Sequence, residues 1–143
     1  MPPVLVQHIM TGAVVTLFAE QTLPVAEDIM RFKHLRHLPV VDDVQRLVGL
    51  VSHRDILRAQ VSSLVGFTAS ERRAREDHVR VSHIMTRDVW TATPDTLAST
   101  AGTLLLDHAF GCLPVVDVDR RLVGIVTERD FLKLAVKAIA MHD

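Results

Sequence analysis

Apolar positions along this chain follow two alternating periods. The runs Val14-Val15-Thr16 and Val89-Trp90-Thr91 are short and β-branched or aromatic, which predicts strand starts. Over residues 22–32, Leu23, Ala26, Ile29 and Met30 fall on one face at helical spacing. Leu97, Thr100, Ala101, Leu104 and Leu105 do the same over 97–106. Residues 38–41 and 47–51 flank a polar turn and predict a hairpin, which 113–116 and 122–126 copy. Ser52-His53-Arg54-Asp55 then runs into Ile56-Leu57, and Thr127-Glu128-Arg129-Asp130 into Phe131-Leu132, two helix starts. Each half therefore reads β-α-β-β-α, a mixed α/β (α+β) pattern.

The halves are copies of each other. His8-Ile9-Met10-Thr11 recurs as His83-Ile84-Met85-Thr86, and Leu38-Pro39-Val40-Val41-Asp42 as Leu113-Pro114-Val115-Val116-Asp117, both 75 residues on. Across 38–55 and 113–130, 12 of 18 positions are identical, far above the one or so of unrelated segments, so a supersecondary unit is used twice. Thr22-Leu23 and Thr96-Leu97 match at 74, so the first repeat carries one extra residue before that point. The expected division is a first repeat over 1–60, a helical linker over 61–80 and a second repeat over 81–143. In the linker, Glu71 and Arg75, and Arg72 and Glu76, are spaced for i to i+4 pairs, with Gly66 the expected interruption. The run Arg72-Arg73-Ala74-Arg75 reads as a solvated face.

Composition narrows the function classes. With 143 residues, 48% of them hydrophobic, folding buries enough surface for a self-sufficient core. Sixteen Lys and Arg against 17 Asp and Glu argue against a nucleic-acid partner, whose phosphates need a cationic surface. The lack of Tyr leaves few rings for base stacking. No apolar run approaches the roughly 18 residues of a membrane span, and neither a signal peptide nor a membrane anchor is expected. The single Cys112 excludes an intrachain disulfide and points to a reducing, cytoplasmic setting. Its neighbours predict a buried small hydrophobe, and no nucleophile, base and orienter can be assembled, so an enzyme is not expected.

Gly49-Leu50-Val51-Ser52-His53-Arg54-Asp55 and Gly124-Ile125-Val126-Thr127-Glu128-Arg129-Asp130 carry the candidate chemistry. A Ser or Thr followed three residues later by an acid has capping-box spacing, which by itself accounts for both residues. A helix start with free N–H groups and a hydroxyl also suits phosphate, and the acid one turn inside can accept the two hydroxyls of a ribose. Both readings stand on spacing alone.

The duplicated pattern of His-Ile-Met-Thr, Leu-Pro-Val-Val-Asp and Gly-apolar-Val-Ser/Thr-x-Arg-Asp resembles a tandem pair of cystathionine-β-synthase (CBS) domains, a Bateman module, over about 4–140. The resemblance implies two β-α-β-β-α repeats packed with pseudo-two-fold symmetry, no catalysis, and clefts for adenine nucleotides (AMP, ADP, ATP) or related adenosyl ligands. It implies ribose-binding acids at Asp55 and Asp130, with Ser52 and Thr127 facing ribose or phosphate. Thr16 and Thr91 match positions lining the adenine and sugar pocket, Arg36 and His37 match positions that reach phosphate, and Arg54 and Arg129 join them. Gly111-Cys112 stands where the first repeat has Arg36-His37, so asymmetric occupancy is expected. A homodimer of modules in a four-repeat disc, signalling to an effector protein in trans, completes that picture. Two other classes remain open: a structural or partner-binding module with empty clefts, and a metal or pH sensor built on histidines such as His8, His83, His34 and His37.

Overall fold

The computed structural model describes residues 2–64 and 68–143, and side chains outside 61–64. The interruption expected at Gly66 lies outside the described residues. Two compact units form, and they regroup the repeats: one unit is residues 15–88, the other residues 1–14 together with 89–143. Each repeat lends its opening segment to the other's unit.

In the unit of residues 15–88, β1 (Leu17–Phe18) lies parallel to β2 (His37–Val41), and β2 antiparallel to β3 (Leu47–Ser52). The helix α2 (Leu23–Lys33) joins β1 to β2, with Pro24 in its first turn, where a missing N–H has no helical partner to lose. It ends at His34 in the left-handed region, and α3 (His53–Leu64) follows β3 directly. Leu17, Leu23, Ala26, Met30, Leu38, Val40, Val51 and Ile56 form the core with Val81, which belongs to the second repeat. Val81 arrives through α4 (Ala69–Glu76) and the single turn α5 (Val81–Ile84). α4 starts with a capping box: Glu71 N–H donates to Thr68 Oγ1, and Thr68 N–H donates to Glu71 Oε2.

The other unit repeats this plan on the hairpin of β4 (Cys112–Val116) and β5 (Leu122–Thr127), with α6 (Ala98–His108) and α7 (Glu128–Ala140). Its core joins Leu105, Leu113, Val115 and Val126 to Val6, from the single turn α1 (Val6–Ile9) of the first repeat. The duplication persists in the backbone where side chains differ. Residues with positive φ occur at His34 and Ala109, and at Gln45 and Arg120, each pair 75 apart. In both hairpin turns an aspartate Oδ1 accepts two backbone N–H groups, Asp42 from Val44 and Arg46, Asp117 from Asp119 and Arg121.

The expected first strands shift. Pairing begins after Thr16, at Leu17, and in the second repeat it shrinks to one parallel bridge from Ala92 to Val115. The apolar runs at 14–16 and 89–91 span the points where the chain passes from one unit to the other, so their strand-like composition serves a connection.

Several backbone bonds hold each borrowed segment, and among them is one reciprocal pair to a hairpin. Thr86 and Leu50 exchange N–H···O=C bonds, both 2.9 Å, and Thr11 and Ile125 do the same, also at 2.9 Å. The glycine before each hairpin residue allows this approach. A Cβ on Gly49 would lie 2.6 Å from Met85 Sδ and 3.1 Å from Thr86 O, and one on Gly124 would lie 2.6 Å from Met10 Sδ and 3.1 Å from Thr11 O. Gly124→Val should therefore cost about 1–3 kcal/mol by overpacking, read as a lower urea midpoint at unchanged m-value; a midpoint equal to the parent's would refute this account.

Cys112 is buried, as its sequence context suggested, and burial pushes its thiol up to about 12. The thiol stays neutral in the fold while the unfolded chain ionises above its ordinary value of 9.0, so stability is intact below about pH 9 and falls as pH rises toward 12. Cys112→Ala should flatten that part of the stability profile relative to the parent, and the native thiol should resist alkylation at pH 8 until denaturant is added.

Candidate functional site

The unit of residues 15–88 gathers its candidate residues at one end of its sheet. Cα pairing sets His37 opposite Ser52, and parallel pairing of Leu17 with Val40 puts Thr16 at the same end. The Arg36 carbonyl accepts His53 N–H at 2.8 Å, tying the residue before β2 to the start of α3. Arg36 is exposed, while Thr16, His37, Ser52 and Asp55 are half-buried.

Asp55 folds back on Ser52. Its Oδ2 accepts Ser52 N–H at 2.8 Å and the Ser52 hydroxyl at 2.9 Å, and Asp55 N–H donates to Ser52 Oγ at 3.2 Å. One carboxylate oxygen thus caps the helix. The other, Oδ1, stands 3.8 Å from the Arg58 guanidinium, one turn along α3. Arg54 is exposed and forms no ion pair with Asp55.

The second unit holds Thr91, Thr127, Arg129 and Asp130 in the matching arrangement. Ala92 N–H donates to the Pro114 carbonyl, which puts Thr91 beside the start of β4, and Cys112 pairs with Thr127. Asp130 Oδ2 accepts Thr127 N–H at 2.9 Å and its hydroxyl at 3.3 Å, while Oδ1 accepts the Thr11 hydroxyl at 3.4 Å. Asp130 is 9% exposed, a buried carboxylate held by three donors. Arg129 is exposed.

Three features escaped the spacing argument. Arg58 is the ionic partner of Asp55, though the adjacent Arg54 matched the repeated motif; its signal is the i to i+3 offset on α3. Thr11 reaches Asp130 across 119 residues, a contact that only the exchange of opening segments creates. Trp90, exposed and next to Thr91, stacks on His108 at 5.1 Å, and His108 stacks on Phe110 at 5.2 Å. This aromatic row runs up to Gly111-Cys112, where the other unit has Arg36-His37.

The duplicated histidines have a structural role. His8 Nδ1 accepts Leu5 N–H at 3.0 Å and His83 Nδ1 accepts Arg80 N–H at 3.1 Å, capping α1 and α5. His34 ends α2 and His37 begins β2, so the pair shares no helix face. Among the described residues no three His, Cys, Asp or Glu side chains cluster as metal ligands, and no helix is long and apolar enough to cross a membrane.

Comparison with known proteins places this architecture. The CBS domain family model matches residues 6–62 and 81–137. Inosine-5'-monophosphate dehydrogenase of Methanocaldococcus jannaschii is 34% identical over 121 residues, 84% of this chain but 21% of that enzyme. The crystal structure of CBSX2 in complex with AMP, a CBS-pair protein of Arabidopsis thaliana, superposes with a TM-score of 0.80 at 28% identity, covering 94% of this chain and 97% of that one. The CBS domain pair of protein MJ0100, in complex with 5'-methylthioadenosine and S-adenosyl-L-methionine, gives 0.79 at 28% identity over 96% and 99%. This chain belongs to the CBS domain family and carries two CBS domains in tandem.

Proposed function

We propose that the chain is a non-catalytic regulatory module that binds adenosine-containing ligands and passes the binding signal to a partner protein in trans. The observation that carries the reading is the paired carboxylates. Asp55 and Asp130 each commit Oδ2 to a helix cap, while Oδ1 faces the Arg58 guanidinium at 3.8 Å in Asp55 and accepts the Thr11 hydroxyl at 3.4 Å in Asp130, long contacts that ribose hydroxyls would replace. The AMP, 5'-methylthioadenosine and S-adenosyl-L-methionine of the structural neighbours share that ribose.

Around the carboxylates the two units offer different chemistry. Ser52, Arg36 and His37 flank Asp55 with a hydroxyl, a guanidinium and an imidazole, a set suited to AMP, ADP or ATP. Thr127 flanks Asp130 and pairs with Cys112, to which the aromatic row of Trp90, His108 and Phe110 leads, and rings favour a base or a ligand lacking phosphate. Thr16 and Thr91 stand at the sheet ends toward base and sugar, and Arg54 and Arg129 are outer contacts. In this reading AMP prefers Asp55 and methylthioadenosine prefers Asp130.

Calorimetry with AMP and 5'-methylthioadenosine tests it. Asp55→Ala should weaken AMP binding more than tenfold, and Asp130→Ala should weaken methylthioadenosine binding similarly. Unchanged affinity in both variants would rule out the ribose-holding role, and a parent protein that no adenosyl ligand stabilises in a thermal-shift screen would favour a module with empty clefts. Asp130→Ala also strips an acceptor from a buried cap, so it should lose about 1–3 kcal/mol of stability while keeping its circular dichroism.

The working unit is a homodimer. On α7, Leu132, Val136 and Ile139 recur at i, i+4 and i+7 and are 64%, 56% and 62% exposed, an apolar stripe that the monomer leaves to solvent. A second copy presents the same stripe, and closed two-fold pairing covers both. Light scattering at micromolar concentration should give about twice 15.9 kDa, shifting to the monomer mass in Val136→Glu; a monomeric parent would refute the dimer.

A further inference from the structure

Beyond the sheet-end residues, a cavity of about 560 Å³ opens beside Asp55, between α3, α4 and α5. It is far larger than an inorganic phosphate needs and falls within the range of about 300–1,000 Å³ common for small-molecule sites. Among the described residues, Arg58, Arg75, His78 and His83 line it, with Asp55 the one carboxylate and Val79 and Ile84 an apolar wall. The charge balance favours an anion. Arg58 is 77% exposed and 3.8 Å from Asp55, a long, solvent-screened ion pair that leaves the guanidinium able to serve an incoming phosphate. His83 accepts Arg80 N–H through Nδ1, which makes Nε2 the protonated nitrogen and hence a donor.

We propose that this cavity is a polyphosphate compartment, so that a nucleoside di- or triphosphate held by its ribose on Asp55 extends its distal phosphates along α3 toward Arg58, Arg75 and His78. The proposal rests on the ribose reading of Asp55 and adds a role for the linker helix. In the second repeat Lys133 stands where the first has Arg58, a point charge in place of a planar guanidinium fork.

The test is isothermal calorimetry of the full chain and of the double variant Arg75→Gln/His78→Gln, both positions exposed, with folding checked by circular dichroism. ATP should bind the variant at least tenfold more weakly than the parent, with adenosine changed less than twofold. ATP affinity within twofold of the parent's would overturn the compartment. Should the parent bind neither adenosine nor ATP, the ribose reading falls, and inorganic tripolyphosphate decides the cavity separately. Tripolyphosphate binding to the parent and lost in the variant supports the compartment; no binding, or equal binding to both, overturns it.

Discussion

The architecture depends on the backbone hydrogen bonds that tie each borrowed segment to the other repeat, with reciprocal pairs between Thr86 and Leu50 and between Thr11 and Ile125 at the hairpins. Each pair adds a borrowed segment to the edge of a hairpin and satisfies polar groups that an apolar core would otherwise strand. Each also delivers a valine, Val81 or Val6, into a core built mainly from the other repeat. Removing one segment exposes a sheet edge and opens the core beneath it at once. That coupling explains why the glycines at 49 and 124, the closest neighbours of the added strand, recur at the same place in both halves.

Much of this was legible in the chain, and the limits have a physical origin. The hairpins, the helix starts and the cap residues are local: a two-residue period, a polar turn, and a hydroxyl three residues before an acid each predict structure within a few residues. Ser52 with Asp55 and Thr127 with Asp130 accordingly form the bonds that their spacing implies. The exchange of opening segments is not local. Nothing in His-Ile-Met-Thr tells which hairpin it joins, since both hairpins present equivalent edges, so the contact of Thr11 with Asp130 could not be read. The runs at 14–16 and 89–91 misled for the converse reason: β-branched and aromatic residues favour extended backbone whether or not a strand pairs with it.

Duplication followed by local divergence gives one backbone two chemistries. The left-handed turns at His34 and Ala109, and at Gln45 and Arg120, show that the main chain is preserved where side chains change. Against that constant frame, Arg36-His37 has become Gly111-Cys112, Arg58 corresponds to Lys133, and an aromatic row has grown from Trp90, His108 and Phe110. The carboxylates are common to both units because the helix cap requires them.

That division also bears on how a bound ligand could be felt elsewhere. A ligand shifts a protein only by the difference in its affinity for two arrangements. Contacts confined to a helix cap discriminate little, because Ser52 and Asp55 are already locked to each other. α3 is anchored to its own unit as well, through the 2.7 Å hydrogen bond from Gln60 to Glu27 on α2. The linker helix α4 is different: no residue of it is buried, and it leads into α5 and on to residue 88, where the chain leaves this unit. An anion touching Arg58 and Arg75 together would favour one placement of α4 over others, while adenosine alone would not. Under the proposed function, signalling would rest on phosphate contacts more than on ribose contacts.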